Sequence, residues 1–287
     1  MTTIDFSSFR NALPYIKLFR GKIFIIKAGG EVCEDKTALR CWLEQAAILS
    51  SLGLKVVIIH GGGKHSTKIS EKLGVTSEFI AGRRVTNSEM LEVAKMSYAG
   101  ILNTDIVAML SSLGAQSVGL TGIDAGVNAE KRPLKIIDGK EVDYGFVGDI
   151  KSVNTTLINI LLNNNTIPVI ASLVADSSGQ VLNINADDMA ANIAGALGVE
   201  TLLMLGTIDG VLRNIQDPSS ILSELSVTEA KDMITSGQAK DGMVPKLEAA
   251  IQALTLGVKS VRIVSGTKQD HLLREIFTNE GCGTLIR

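Results

Sequence analysis

A mostly parallel β-sheet covered by helices on both faces is the fold class that the sequence predicts, and three observations predict it. Short apolar runs rich in β-branched residues recur at 23–28 (IFIIKA), 55–60 (KVVIIH), 166–171 (TIPVIA), 201–205 (TLLML) and 259–264 (KSVRIV). Strands buried on both faces read this way, as parallel strands do. Helical spacing fills the intervals between them, and alternating strand and helix implies crossovers that lay helices on both faces of one sheet. Across 287 residues, 45% of them apolar, no break in composition separates two autonomous domains. The expectation is one continuous sheet with an N-terminal lobe to about residue 175 and a C-terminal lobe after it.

Taken in order, the chain opens with Phe6, Phe9, Leu13, Ile16 and Phe19 at helical spacing, although Pro14 is expected to interrupt or kink that helix. Over 37–52, Ala38, Cys41, Trp42, Gln45, Ile48 and Leu49 recur at three and four and predict a helix. Glycines and turn residues through 138–148 (DGKEVDYGFVG) predict a hairpin-like excursion. Residues 186–197 read as a helix opening on Asp187 and Asp188, where carboxylates favour a helix N-terminus. "SVTE" at 226–229 is a capping box, Gly237 suits the end of that helix, and Pro245 suits the first turn of a helix running to Leu256.

A net charge of −2 gives no electrostatic footprint for nucleic acid, and no apolar stretch approaches the length of a membrane span. The N-terminal segment has no apolar core of signal-peptide length. Cys33, Cys41 and Cys282 form no C-x-x-C and are too few for a disulfide framework. These features point to a cytoplasmic protein with reduced thiols, whose partners are small molecules or copies of itself. No metal site of the chain's own is expected.

Two strands end in glycines, "IIKAGG" (25–30) and "IIHGGG" (58–63). Without Cβ atoms, successive backbone N–H groups can approach a ligand and form a concave nest for phosphate or carboxylate oxygens. A following helix N-terminus adds free amides and a favourable dipole. Neither loop has the spacing of a familiar nucleotide motif, and a glycine pair after a strand also serves as a plain tight turn. Lys27 stands between IFII and AGG, where its neighbours should be buried. Lys246, in "DGMVPK", opens a helix whose dipole a cation opposes, so an anion is expected to compensate it. Asp187 in "NINADD" reads either as a plain helix cap or as a carboxylate holding the two lysines around a transferring group.

The ordered motifs "IIKAGG", "VIIHGGG", "GRRVT" (82–86), "NINAD" (183–187) and "GMVPK" (242–246) resemble those of the N-acetylglutamate kinases, within the amino acid kinase family. The resemblance runs from about Ala12 to Arg287. It implies a three-layer αβα sandwich on a mainly parallel eight-stranded sheet, with an N-terminal helix over 1–20, an N-terminal lobe over 21–175 that binds the acyl amino acid and dimerises, and a C-terminal lobe over 176–287 that binds ATP. It implies ATP-dependent phosphorylation of the side-chain carboxylate of N-acetyl-L-glutamate, in arginine synthesis, with Mg²⁺ arriving on the nucleotide. By the same resemblance Lys27, Lys246 and Asp187 are catalytic, and Gly62, Gly63, Arg84 and Asn183 hold the acyl amino acid. Gly29, Gly30, Thr207, Asp209 and Gly210 fall on the nucleotide side. In "LGTIDGV" (205–211), Thr207 stands where the family usually has aspartate, which bears on ATP binding.

A kinase for acyl-aminoadipate or N-succinylglutamate is the alternative within the same chemistry, and one methylene in a pocket is worth only about 1–3 kcal/mol, so the acyl substrate stays open. A catalytically silent arginine-sensing domain is the alternative of another class. The resemblance to arginine-regulated members implies assembly of dimers into hexamers through the N-terminal helix. It also implies an arginine pocket formed with Glu275, Gly281 and Gly283, although Asp270 stands where those members have histidine and His271 is displaced by one.

Overall fold

The computed structural model describes residues 6–287 apart from Gly82, Asp138 and Asp241, and for Phe6–Phe9 the backbone alone. Strand Ile23–Ala28 lies inside an eight-stranded sheet. On one side it pairs in parallel with Lys55–His60, then Ile167–Ala171 and Ser117–Thr121; on the other with Thr201–Gly206 and then Val261–Ser265. Thr284–Ile286 adds antiparallel to Val261–Ser265, with Glu224–Leu225 beyond it. The sheet therefore joins strands from both halves of the chain, as expected. All six parallel strands end along one edge, the edge at which open α/β sheets bind ligands.

Side chains alternate between two cores, which is why the strands read as unbroken apolar runs. Ile25, Val57, Ile59, Leu202 and Met204 pack with helices Ala186–Leu197 and Met243–Thr255. Phe24, Ile26, Val56, Ile58, Leu203 and Leu205 pack on the other face with helix Lys36–Ser51, where Trp42 is fully buried. By the same parity Lys27 falls on the first face and His60 on the second. A smaller sheet, Val181–Asn183, Leu173–Ala175, Val127–Lys131 and Gly148–Val153, adds to the first core.

Local signals set several boundaries. The Ser226 and Glu229 capping box is formed in full, and Gly237 follows that helix at φ +73°. Pro245 lies in the first turn of Met243–Thr255. The hairpin lies earlier than its turn residues suggest, pairing Lys135–Ile137 with Lys140–Val142. The last parallel strand begins at Val261 rather than Lys259.

The first helix, Phe6–Phe19, continues through Pro14. Pro14 deletes one backbone donor inside the helix, and packing offsets that loss. Ile16 is buried, Ala12, Tyr15 and Phe19 pack on the Trp42 core, and Phe19 meets Phe24 edge-on at 5.3 Å. The Tyr15 hydroxyl donates to Asn279 Oδ1. Phe6 and Phe9, counted in the same apolar face, have side chains outside the described residues, whereas Leu18 is 62% exposed.

Candidate active site

At the sheet edge the two glycine loops lie side by side. A Cβ on Gly30 would sit 3.2 Å from Lys64 N and 3.3 Å from Gly63 N, so the loops approach backbone to backbone. Gly61 N donates to Ala28 O at 3.3 Å and ties the second loop to the first strand. Helix Gly63–Leu73 opens directly from the second loop. Among the described residues no hydrogen-bond acceptor takes the N–H of Gly62 or Gly63. Free amides at a helix N-terminus favour an anion.

Gly62 is fixed by a close approach that its neighbours in sequence do not reveal. A Cβ there would lie 2.4 Å from Tyr98 Cδ1. Tyr98 is buried, and it comes from a π-helical segment, Lys95–Leu102, inserted between two α-helices. Such insertions are frequent at functional sites. Burial pushes the Tyr98 phenol above its ordinary pKa, partly offset by a hydrogen bond with Ser66 and then by the Arg84 charge.

Lys27 Nζ meets Asp187 Oδ1 at 2.6 Å, and both residues are buried. Asn185 Oδ1 accepts from Asp187 N at 2.7 Å and caps the helix. The plain-cap role therefore falls to Asn185, and the Asp187 carboxylate is left for the lysine. Lys246 stands one turn into helix Met243–Thr255, its Cε 3.8 Å from where a Gly206 Cβ would be. Burial lowers its pKa first, the Lys27 charge lowers it further, and Asp187 works the other way. Two ammonium groups around one carboxylate leave a positive charge for which an anionic ligand is the natural complement.

Arg84 donates to Ser77 Oγ at 2.6 Å, Thr67 Oγ1 at 2.7 Å and Gly63 O at 3.0 Å, and lies 4.6 Å from the Phe79 ring centroid. Burial lowers its pKa somewhat. Asn183 Nδ2 donates to Thr86 Oγ1 at 3.2 Å. One cleft of about 420 Å³ is lined by Lys27, Gly29, Gly30, Gly62, Gly63, Arg84 and Asn183, so four separated stretches of chain meet as one site. Tyr98, Lys64, Thr67, Arg132 and Ser172 also line it and were missed by sequence reading. Arg83, Arg132 and Ile184 form the wall shared with a neighbouring cleft of about 370 Å³.

The remaining candidates lie outside that cleft. Thr207 is exposed beyond the end of strand Thr201–Gly206. Asp209 is paired with Lys268 at 2.6 Å, and a Cβ on Gly210 would lie 2.5 Å from Thr284 Oγ1, so packing accounts for that glycine. Glu275 differs most from expectation. It is 2% exposed, pairs with Arg262 Nη1 at 2.6 Å, and accepts from Cys282 N at 2.7 Å and Gly283 N at 2.8 Å. Backbone amides therefore close on Glu275 itself, and its carboxylate is already paired where the resemblance implies a ligand. Asp270 precedes helix His271–Phe277 in a left-handed conformation, so it and His271 are not successive positions of one helix.

His60 has an acid signature. Burial pushes its pKa down to about 4, so the unfolded chain binds a proton at higher pH than the folded one. Stability is therefore expected to fall as pH drops from about 6.5 towards 4, by roughly 3 kcal/mol from this group. Urea melts at pH 7.5 and 5.0 measure this, and a His60→Asn change should shrink the difference.

The chain matches the Amino acid kinase family over residues 22–265. It is 43% identical to the acetylglutamate kinase of Methanocaldococcus jannaschii over 280 residues, covering 96% of this chain and 93% of that protein. The Myxococcus xanthus acetylglutamate kinase is 41% identical over 288 residues, covering 98% and 94%. Among solved structures, the N-acetylglutamate synthase from Neisseria gonorrhoeae complexed with coenzyme A and N-acetyl-glutamate superimposes with a TM-score of 0.85 at 27% identity. That match covers 99% of this chain and 63% of the synthase. The same synthase complexed with coenzyme A and L-arginine gives a TM-score of 0.82 at 26% identity, over 99% and 65%. With a continuous match to the family over residues 22–265 and near-full-length relatives above 40% identity, the chain belongs to the amino acid kinase family and groups within it with the acetylglutamate kinases.

Proposed function

We propose that the protein transfers the γ-phosphoryl group of ATP to the side-chain carboxylate of N-acetyl-L-glutamate, the reaction of its acetylglutamate kinase relatives in arginine biosynthesis. The observation that carries this reading is the buried Lys27–Asp187 pair at 2.6 Å, whose lysine lines the same cleft as the Gly29–Gly30 and Gly61–Gly63 loops. A carboxylate oxygen forms the new bond to phosphorus as the bond to the ADP oxygen breaks, and the protein's task is alignment and charge neutralisation.

Lys27 and Lys246 stabilise the transferring and leaving oxygens, with Asp187 orienting them. Gly62 and Gly63 amides hold the accepting carboxylate, while Gly29 and Gly30 face the phosphates. Arg84 takes the α-carboxylate and Asn183 helps to orient the acyl substrate. The nucleotide runs towards Thr207, Asp209 and Gly210 in the C-terminal lobe (176–287), and the acyl substrate lies in the N-terminal lobe (21–175). Among the described residues no cluster of His, Cys, Asp or Glu suits a metal ion. Mg²⁺ is accordingly read as entering on the ATP phosphates, where it offsets their charge.

ADP release and acyl-phosphate trapping with N-acetylglutamate, N-succinylglutamate and acyl-aminoadipate test the reading. It fails if none is turned over above background. Arg84→Ala is expected to raise KM for the acyl substrate by roughly 10-fold or more with a smaller change in kcat, because it removes a two-pronged carboxylate contact. An unchanged KM would remove Arg84 from the binding site.

The assembly is read as a homodimer, extended to a hexamer through helix Phe6–Phe19. Exposed Leu18 on that helix supports this. A cytoplasmic setting fits the three free cysteines, and no helix among the described residues is long and apolar enough to cross a membrane. Arginine is retained as a weak to moderate inhibitor, supported by the synthase structure that contains it. It would have to compete with Arg262 for Glu275. Light scattering and arginine titration, with and without residues 1–20, test both points. Truncation is expected to give dimers and to relieve inhibition; equal masses would refute the helix-mediated assembly, and activity flat to millimolar arginine would refute the inhibition.

A further inference from the structure

We propose that His60, held by Asn103, is a positioning residue that fixes the plane of the Gly61–Gly62 peptide and thereby aims the Gly62 N–H into the cleft. Its catalytic consequence rests on the kinase reading above; its geometry does not.

His60 ends strand Lys55–His60 and is 0% exposed. It lies on the face of the sheet opposite Lys27, so it touches neither cation. Its ring is bonded at both ends, with Nδ1 3.2 Å from Gly61 O and Nε2 3.0 Å from Asn103 Nδ2. Asn103 Nδ2 also lies 3.0 Å from Val169 O and 3.2 Å from Leu120 O. Backbone carbonyls only accept, so the carboxamide must present its NH₂ group to this cluster. Its two N–H groups are shared among three acceptors and its nitrogen cannot accept, so His60 Nε2 faces it with a lone pair and the ring proton must sit on Nδ1, where it donates to Gly61 O. The network thus selects one tautomer of a neutral imidazole, in keeping with the burial that keeps His60 uncharged.

In a planar trans peptide the C=O and the following N–H point in opposite directions. With Gly61 O drawn back towards His60, the Gly62 N–H is turned the other way, towards the cleft that Gly62 lines. The chain makes room for this arrangement at a distance: a Cβ on Gly119 would lie 2.1 Å from Asn103 Oδ1. Asn103 directly follows the π-helical segment that supplies Tyr98 beneath Gly62. One short stretch of chain therefore braces the loop twice, by the Tyr98 ring from below and by the Asn103–His60 relay from behind. A pair of apolar side chains could fill the same space without desolvating an imidazole and a carboxamide. The polar pair adds a defined direction for the Gly61 carbonyl.

The test combines kinetics with a tautomer measurement on the full-length protein. His60→Phe and Asn103→Leu should each lower kcat by about 10-fold or more, with KM for N-acetylglutamate within about 3-fold, since a misaimed amide fails in the transition state. His60→Asn, which can keep a donor near the Nδ1 position, should recover most of the loss. Wild-type kcat in His60→Phe, or no recovery in His60→Asn relative to His60→Phe, would overturn the proposal. Should the variants fail to fold, ¹⁵N spectra of histidine-labelled wild-type protein at neutral pH remain decisive. With three histidines in the chain, the His60 signal is assignable by replacing the other two. A proton on Nδ1 supports the relay and a proton on Nε2 refutes it. A wild-type protein inactive on every acyl amino acid would dispose of the kinase reading and leave the tautomer result standing.

Discussion

Lys27→Ala is expected to lower kcat by roughly 10²–10³-fold, the scale for removing one preorganised donor from a transition state, while changing substrate KM only a few-fold. The same substitution leaves the buried Asp187 carboxylate without its partner 2.6 Å away. Breaking a buried pair from one side costs about 3–5 kcal/mol, so the melting temperature should fall as well. Lys246→Ala separates the two effects. Lys246 is half-buried, and both its burial and the nearby Lys27 charge disfavour its ammonium. Removing it should cost a comparable factor in kcat with little loss of stability. Steady-state kinetics beside thermal melts decide the matter: normal turnover in either variant would remove that lysine from the mechanism, and equal destabilisation by both would contradict the asymmetric pairing.

Gly62→Ala is the second large effect. A methyl group at that position would stand 2.4 Å from Tyr98 Cδ1 and 2.7 Å from Cε1, well inside contact distance. Tyr98 is 5% exposed and packs with Ala94, Ala171 and Leu173, so the loop is expected to move instead. A displacement near 1 Å can cost about 10²-fold in rate, and kcat/KM for the acyl substrate is expected to fall by at least that much. Tyr98→Ala should tolerate Gly62→Ala and restore part of the activity, because it removes the ring that the methyl group strikes. Full activity in Gly62→Ala alone would show that the loop accommodates a side chain and that close approach is not what the glycine provides.

The two lysines were legible in sequence because each breaks a local rule. Lys27 interrupts an apolar strand end, and Lys246 places a cation where a helix dipole repels it. Tyr98 broke no rule, since an aromatic residue in an apolar helical stretch reads as ordinary core. His60 was visible within "IIHGGG", but nothing nearby in sequence names Asn103 as its partner. Glu275 shows the opposite case: a free carboxylate was inferred from the C-terminal segment, and the fold supplies Arg262 from a neighbouring strand to neutralise it.

By itself the sequence determined what depends on neighbours along the chain. The apolar runs became strands buried on both faces, Ser226 and Glu229 formed their capping box, helix Ala186–Leu197 took its expected bounds, and the motif order marked the family. Tertiary structure alone decided that Tyr98 lies beneath Gly62, His60 against Asn103 and Arg262 on Glu275, and it chose between the two roles open to Asp187 by setting it against Lys27. Hydrophobic period and capping chemistry act within a turn or two and leave a pattern in the string. A contact between strands and helices far apart depends on sheet order and side-chain parity, which no local pattern encodes.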